Sequence, residues 1–402
     1  MATIVRTSLS RSLISSKRLL LIPTTPRRTY VSSIFKGARS YFLGFRNRED
    51  DDSGDDAMVE ESLPFVQYPL FTREQLKKIA TDKFKLDFAH ASFGYHSDSI
   101  VPSINSLSDL TDPTQLNTLL PRRRPQGSPA DTLSIKAGDD TMLVSPTIIA
   151  VADGVSGWED STSNENTSSG IWSRSMVETF SRLMTEYKIR IFPHRLKKRD
   201  IKEILDDSYL HTSHLMDLQK LSGSSTLVLG MLSGETLQMI SIGDSKIYII
   251  RDGKIIKTNT EQMQSELCPQ QIGTHTLDHL PSDIAWIESF KLKEGDYIVM
   301  CSDGISDNLY EWEIENYVSE WVNKNSSSSS SKKASNMKNL ATKLLIKAKE
   351  VAFDDYAYTP YNEKVNSLKE PHQHSQGGKV DDMSIIVAKV VANTPSTTNI
   401  KV

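Results

Sequence analysis

The chain has 402 residues, of which 38% are hydrophobic, and its formal net charge is −4 at pH 7. This length allows one large domain or two to three smaller ones with a substantial core, while the slightly acidic balance argues against a nucleic-acid partner. Two cysteines exclude a disulfide framework and a CxxC zinc site, and no apolar run approaches the roughly 20 residues that span a bilayer.

The N-terminal part of the chain is basic, and the segment that follows is acidic. Residues 1–48 contain eight arginines, two lysines and no acidic residue. The richness of the first thirty residues in Arg, Ser and Thr is typical of a mitochondrial presequence, and Pro23 interrupts the apolar stretch that a secretory signal would need. We expect residues 1–30 to be a presequence cleaved after Tyr30, and residues 31–64 to be a basic, then acidic, disordered linker.

Blocks of helix and strand follow in the predicted domain. A strand pair over Thr141–Ala152, broken at Ser145-Pro146, precedes a helix over Trp172–Tyr187 and a second helix with Asp200 as its N-cap. The remaining predicted strands are Ser225–Leu232, Thr236–Ile242, Lys246–Arg251, Lys254–Lys257, Ile284–Leu292, Tyr297–Ser302 and Met383–Val391, and the remaining helices are Glu311–Val322 and Asn336–Phe353. This order favours an α+β fold, an α-β-β-α sandwich of two packed antiparallel β-sheets flanked by helices.

We expect residues 65–395 to form a single domain, followed by a short tail at 396–402. Six consecutive serines, Ser326–Ser331, indicate a flexible surface insertion at 323–335 between two predicted helices. Cys301 lies in an apolar run, and we expect it to be a buried strand residue rather than a catalytic thiol.

Aspartates recur at the ends of the apolar, strand-like runs: Asp153, Asp244, Asp303 and Asp381. A single Asp-Gly pair commonly marks a hairpin turn, and Asp252-Gly253 between two short strands is predicted to be only that. Repeated carboxylates where core strands surface indicate a site for divalent cations, because an unpaired buried charge is costly and a cation offsets it. Oxygen ligands favour Mg²⁺ or Mn²⁺, since a zinc site would be expected to contain Cys or His.

Segments of the chain resemble, in order and spacing, the motifs of the metal-dependent type 2C (PPM) serine/threonine protein phosphatases: VADGVSGW, GSSTLVLG, SIGDSKIYIIRDGKI, MCSDGISDNL and GGKVDDMSIIV. The resemblance covers about residues 130–392. The forms VADGVSGW and AFDDYAYTP resemble the mitochondrial branch of that family, which agrees with the basic N-terminal segment. The resemblance implies the fold and the activity of a metal-dependent phosphoserine and phosphothreonine phosphatase.

The resemblance also implies which residues form the site. Two Mg²⁺ or Mn²⁺ ions are expected to be held by Asp139, Asp153, Gly154 through its carbonyl, Asp303 and Asp381. Asp244 and Asp307 match positions associated with a third, more weakly held ion, and Asp140 and Asp382 are expected to orient ligands or waters. Two ions that share Asp153 would activate a water for in-line attack on phosphorus, so no protein nucleophile is required.

This chain departs from many relatives at two positions. Ile135 stands where an arginine holds the substrate phosphate, so Lys136 is the candidate phosphate ligand, as a point charge without the two-pronged geometry of Arg; Arg122–Arg124 are alternatives. Val155 stands where a histidine is thought to protonate the leaving group. A metal-bound water or a carboxylate would then have to supply that proton, and we expect modest turnover.

Two alternatives to a phosphatase remain open. A phosphatase-like scaffold that binds phosphoproteins would be expected to lack metal ligands, and a nuclease would need a basic track that the chain lacks after residue 48. As a phosphatase, the protein is expected to be a monomer of the mitochondrial matrix that acts on phosphorylated mitochondrial proteins. The resemblance suggests enzymes of coenzyme Q biosynthesis as first substrates, with residues 260–274 as a candidate substrate-selecting loop.

Overall fold

The computed structural model describes residues 83–95, 101–107, 132–155, 167–276, 278–325 and 333–393, all within the compact unit Tyr68–Val402. The predicted presequence, linker and tail, the serine run Ser326–Ser331 and the arginines Arg122–Arg124 lie outside the described residues. None of the described helices combines the length and the apolar character needed to cross a membrane.

Antiparallel strands form two large sheets and two small ribbons. In chain order they are β1 (Phe84–Phe93), β2 (Ser103–Ser106), β3 (Leu133–Ala137), β4 (Asp140–Val144), β5 (Ile148–Ala152), β6 (Ser224–Ser225), β7 (Leu227–Ser233), β8 (Thr236–Ile242), β9 (Lys246–Arg251), β10 (Lys254–Thr258), β11 (Met263–Ser265), β12 (Cys268–Pro269), β13 (Ile272–Gly273), β14 (Trp286–Lys291), β15 (Tyr297–Cys301) and β16 (Met383–Ala392). One sheet has the order β1-β16-β15-β9-β10 and the other β14-β8-β7-β5-β4-β3-β2, while β11-β12 and β13-β6 form small ribbons.

Helices follow the strands in blocks, as the sequence predicts. They are α1 (Ser168–Ile191), α2 (Lys198–Leu218), α3 (Pro281–Ile284), α4 (Asp303–Ser306), α5 (Glu311–Asn325), α6 (Lys333–Ala352) and α7 (Pro360–Ser367), with a 3₁₀ turn at Pro371–Gln373. Helices α5 and α6 extend into the predicted insertion at 323–335 from both sides.

Three hydrophobic layers connect the helices and sheets. One layer packs α1 and α2 against the seven-stranded sheet, a second lies between the two sheets, and a third packs α5 and α6 against the five-stranded sheet. Strand β5 shows how one apolar run serves two layers, because side chains alternate across a strand. Ile149 and Val151 face the other sheet, whereas Ile148, Ala150 and Ala152 face the helices. The predicted α+β sandwich is therefore confirmed.

The structure corrects several predicted element boundaries. Helix α2 begins at Lys198, so Asp200 is not its N-cap; the Asp200 carboxylate instead accepts a hydrogen bond from the Lys197 N–H at 2.8 Å, three residues back. The predicted strand Ile284–Leu292 is shorter, because Pro281–Ile284 forms a helical turn. Strands β1 to β3 and helix α7 were not predicted; β1 pairs along its full length with β16, almost 300 residues later.

Other local predictions are confirmed. Asp252 and Gly253 have φ values of 52° and 77°, and they join β9 to β10 as the hairpin turn that the sequence predicts. Cys301 is fully buried on β15, and burial, as the main cause, raises the pKa of its thiol to about 12. A thiol with this pKa stays protonated and is a poor nucleophile, so Cys301 is a core residue.

Candidate metal centre and active site

A cavity of about 240 Å³ lies where the ends of the two sheets meet. Asp153 follows β5 and Asp244 follows β8 of the seven-stranded sheet, while Asp303 follows β15 and Asp381 precedes β16 of the five-stranded sheet. All four aspartates line the cavity together with Asp307, which follows α4. We refer to these five residues as the carboxylate cluster; the structure brings together the strand-end aspartates that the sequence singled out.

The backbone around Asp153 is held by the start of the neighbouring strand. The Thr226 N–H donates to the Asp153 carbonyl at 2.8 Å, and the Val155 N–H donates to the Ser224 carbonyl at 3.0 Å. The Gly154 carbonyl takes part in neither bond. A Cβ at Gly154 would lie 2.6 Å from the Asp139 carbonyl oxygen, so only glycine fits this close approach.

Burial and mutual repulsion oppose the charge on most of the cluster. Burial first, and then the neighbouring carboxylates, raise the pKa of Asp153 well above its ordinary value, that of Asp244 to about 7 and that of Asp381 to about 6. Burial would also raise the pKa of Asp303, but the ammonium of Lys379 outweighs it and lowers this pKa. Crowded carboxylates of this kind favour the binding of positive charge.

Two lysines supply positive charge inside the cavity. Lys379 Nζ contacts Asp303 closely, and it lies 2.9 Å from Asp307 Oδ2 and 3.2 Å from Asp381 Oδ2. Lys364, on α7, contacts the other oxygen of Asp307 at 2.9 Å. Sequence reasoning missed both lysines. The position of Lys379 in GGKVDD, two residues before Asp381, was a signal for one of them, whereas no local pattern marked Lys364.

Asp382, which lines the cavity, and Asp140, which does not, make hydrogen bonds that hold the surroundings of the site. The Asp382 carboxylate accepts the N–H groups of Tyr95 at 2.6 Å and Asp139 at 2.7 Å, so it joins the end of β1 to the turn between β3 and β4. Asp140 is fully buried and accepts from the Ser302 hydroxyl at 2.7 Å, while its Oδ1 makes no hydrogen bond with a described residue. Burial, then the carboxylates of Asp382 and Asp381, raises the pKa of Asp140. These contacts suit the orienting role expected of both residues.

The remaining predicted residues lie at or beside the cavity. Asp139 and Lys136 are buried and are not among the residues that line it; Asp139 accepts a short hydrogen bond from Thr167, and burial lowers the pKa of Lys136 although Asp139 opposes this shift. The metal-ligand role of Asp139 and the phosphate-binding role of Lys136 stay predictions. Val155 lines the cavity and presents no titratable group there.

The donor set fits divalent cations at Asp153, Asp303 and Asp381. In the part of the chain that the structure describes, no three His, Cys, Asp or Glu side chains are placed so that they could together hold a metal ion, and the carboxylates of Asp303 and Asp381 lie against Lys379 instead. The nearby donors are nevertheless all oxygens, and two buried oxygens, Asp140 Oδ1 and Asp244 Oδ1, lack a hydrogen-bond partner among the described residues. Oxygen-only donors of high negative charge suit Mg²⁺ or Mn²⁺.

Known proteins are similar to this chain in sequence and in structure. Probable protein phosphatase 2C 26 of Arabidopsis thaliana is 28% identical over 268 residues, which cover 64% of this chain and 80% of that protein. Probable protein phosphatase 2C 1 of Oryza sativa subsp. japonica is 27% identical over 310 residues, or 70% and 84% of the two chains. The X-ray structure of the photosystem II phosphatase PBCP matches with a TM-score of 0.51 and 20% identity, covering 76% of this chain and 98% of that chain, and this similarity supports the fold.

The profile of a known family matches residues 134–344, just over half of the chain. The matched region begins on β3 and ends within α6, so it includes Asp139, Asp153, Asp244, Asp303 and Asp307. The chain therefore belongs to the protein phosphatase 2C family, whose members are metal-dependent protein-serine/threonine phosphatases.

Proposed function

We propose that this protein hydrolyses phosphoserine and phosphothreonine in mitochondrial proteins, with two Mg²⁺ or Mn²⁺ ions held by Asp153, Gly154, Asp303 and Asp381. The observation that carries the proposal is the convergence of the carboxylate cluster from the ends of both sheets onto one cavity. Within the family, the proposal assigns the chain to the mitochondrial branch, and its support is the sequence resemblance in VADGVSGW and AFDDYAYTP together with the basic N-terminal segment.

The ions, when bound, would supply an activated water and would offset charge on the phosphoryl oxygens. The protein fixes the positions of the residues that would bind them. The hydrogen bond between the Asp153 carbonyl and the Thr226 N–H positions Asp153, and Asp303 lies in the first turn of α4, after the buried strand β15. Lys379 adds a fixed positive charge next to Asp303 and Asp381, where it attracts an anionic phosphoryl group.

The rim of the cavity indicates how a phosphoprotein segment would be received. Met263, Leu267 and Pro269, from the ribbon β11-β12, line the cavity, as does Tyr361 from α7. Met263 and Leu267 are 39% and 49% exposed, so their apolar side chains are accessible to a substrate residue next to the phosphorylated one. This ribbon lies within residues 260–274, and we propose that it selects substrates through apolar contacts.

Hydrolysis of a phosphoserine peptide by the full chain tests the reaction. With Mn²⁺ or Mg²⁺ we expect turnover that a chelator abolishes, and Asp153→Asn should lower kcat about 1000-fold, because an amide holds a cation far less well than a carboxylate. Asp252→Asn is the matched control, since it changes the other kind of Asp-Gly pair, a hairpin turn in which Asn tolerates the positive φ. Turnover that persists with chelator or in Asp153→Asn contradicts the proposal. Metal binding without turnover supports a phosphoprotein-binding scaffold.

Location and substrate require a separate experiment. We propose that the N-terminal segment directs the chain to the mitochondrial matrix, that cleavage follows Tyr30, and that the enzyme acts there as a monomer. Import into isolated mitochondria followed by N-terminal sequencing should yield a chain that begins at Val31. Retention of Met1 on the imported protein would refute the processing step. The resemblance to the mitochondrial branch makes phosphorylated enzymes of coenzyme Q biosynthesis the first substrates to test.

A further inference from the structure

Both oxygens of one aspartate in the cavity are already paired with lysines. Asp307 Oδ1 lies 2.9 Å from Lys364 Nζ, and Asp307 Oδ2 lies 2.9 Å from Lys379 Nζ. The Asp307 carboxylate is buried, with its side chain 4% exposed. Each carboxylate oxygen has a second lone pair, but a metal ion bound there would lie beside two ammonium groups whose positive charge repels it.

The backbone of Lys379 is held in place by groups outside the carboxylate cluster. The buried Asn308 side chain accepts the Lys379 N–H at 3.0 Å and donates to the Lys379 carbonyl at 2.8 Å. The two glycines before Lys379 allow the segment to pass close to the end of α6, because a Cβ at Gly378 would lie 2.1 Å from the Val351 carbonyl oxygen. The base of the Lys379 side chain is thus fixed beside Asp307 by the fold.

Lys364 is held by a second chain of ion pairs. Its ammonium also lies 3.1 Å from Glu261 Oε2, and Glu261 Oε1 in turn lies 3.0 Å from Lys246 Nζ. Glu261 and Lys246 are not among the residues that line the cavity. Lys364 therefore has an anchor of its own, so its place next to Asp307 does not depend on Asp307 alone.

We infer that Lys364 and Lys379 are resident cations that take the place of a third metal ion at Asp307, so that this chain binds two divalent ions and not three. The inference rests on the proposed function for the other two ions. It revises the expectation from family resemblance that Asp244 and Asp307 hold an additional ion, because the surroundings of Asp307 do not fit one. The two ammonium groups supply positive charge at this corner without exchange with solvent.

Native mass spectrometry of the full chain, titrated with Mn²⁺, tests the inference by counting bound ions. We expect two ions on the wild type and the same count on Asp307→Asn. Removing both ammonium groups in the double variant Lys364→Gln, Lys379→Gln should add a third ion, and adding Asp307→Asn to this variant should remove that ion again. Lys254→Gln, which breaks the surface ion pair with Glu315, is the matched control and should leave the count at two.

Two results would overturn the inference. One is a third ion on the wild type that Asp307→Asn removes, and the other is a folded double variant that gains no Asp307-dependent ion. Circular dichroism reports whether the double variant folds; if it does not, the comparison of wild type with Asp307→Asn still decides. Failure of the proposed function looks different, because the wild type would then release no phosphate from the phosphopeptide, whatever number of Mn²⁺ ions it binds.

Discussion

Two parts of the site balance their negative charge in different ways. Around Asp140 and Asp153 the carboxylates repel each other, their pKa values are raised, and Asp140 Oδ1 makes no hydrogen bond with a described residue. Around Asp307 the charge is matched by Lys364 and Lys379. The first part is where we propose that divalent cations bind from solution, whereas the second has two ammonium groups of the chain beside its carboxylate. One cavity can therefore combine exchangeable and covalently attached positive charge.

The largest expected effect comes from comparing two neighbouring aspartates. Asp303→Asn should lower kcat about 1000-fold, because Asp303 is a proposed ligand of an ion that activates water. Asp307→Asn should lower kcat by less than about tenfold, because its lysines keep the positive charge in place. Steady-state hydrolysis of the same phosphopeptide by both variants measures the difference. Equal losses in the two variants would remove the distinction between the two parts of the site.

Asp244 belongs to the cluster and has a pKa raised to about 7, mainly by burial. A raised carboxyl pKa contributes stability that is fully present below the unfolded value of 3.8 and is lost as the pH rises through about 7. In chelator, Asp244→Asn should therefore be nearly neutral at low pH and stabilising above pH 7, on the order of 3 kcal/mol. Urea unfolding of both proteins at the two ends of this pH range measures the change. A difference that does not vary with pH would contradict it.

Replacing Gly138 by alanine tests whether close packing stabilises the part of the site around Asp140. It has a φ of +63°, and a Cβ there would lie 2.1 Å from Asp382 Oδ1, the atom that accepts the Tyr95 N–H. Gly295 has a φ of +93° with nothing within 4 Å of its Cβ position, so it is the matched control for backbone strain. Gly138→Ala should lower the free energy of unfolding by about 2 kcal/mol more than Gly295→Ala does. Equal losses of unfolding free energy in the two variants, measured by urea unfolding, would show that the Asp382 side chain can move away from the new methyl group without cost.

Local patterns in the sequence predicted most of the elements that surround the site. The apolar runs before Asp153 and Asp303 predicted strands β5 and β15. The Asp252-Gly253 pair was predicted to be only a hairpin turn, because short strands lie directly on both sides of it. Strand β1 was not predicted, although Phe84, Leu86 and Phe88 alternate with Lys85 and Asp87. The pairing of Phe84 with Ala392 joins residues about 300 positions apart, beyond the reach of any local pattern.

Contacts between distant segments explain what the site prediction lacked. Lys136 was the candidate phosphate ligand because it is adjacent in sequence to Ile135, where many relatives carry an arginine, yet it is buried on β3 and is not among the residues that line the cavity. Lys364 and Lys379 are 57 and 72 residues from Asp307 in sequence, and both contact it. Adjacency in sequence does not predict which ammonium group lies next to a carboxylate, because the fold determines the distance between the two groups.

The sequence by itself determined the succession of strand and helix blocks from β4 onward, the α+β sandwich and the aspartates at the strand ends, since hydrophobic periodicity and residue chemistry are local properties. Only the tertiary structure decided which charges meet. Asp307, read from the sequence as a ligand of a third ion, lies between two lysines brought to it by α7 and by the segment before β16. The reason is physical: electrostatic interactions depend on separation in space, and the fold places these groups within 3 Å of each other.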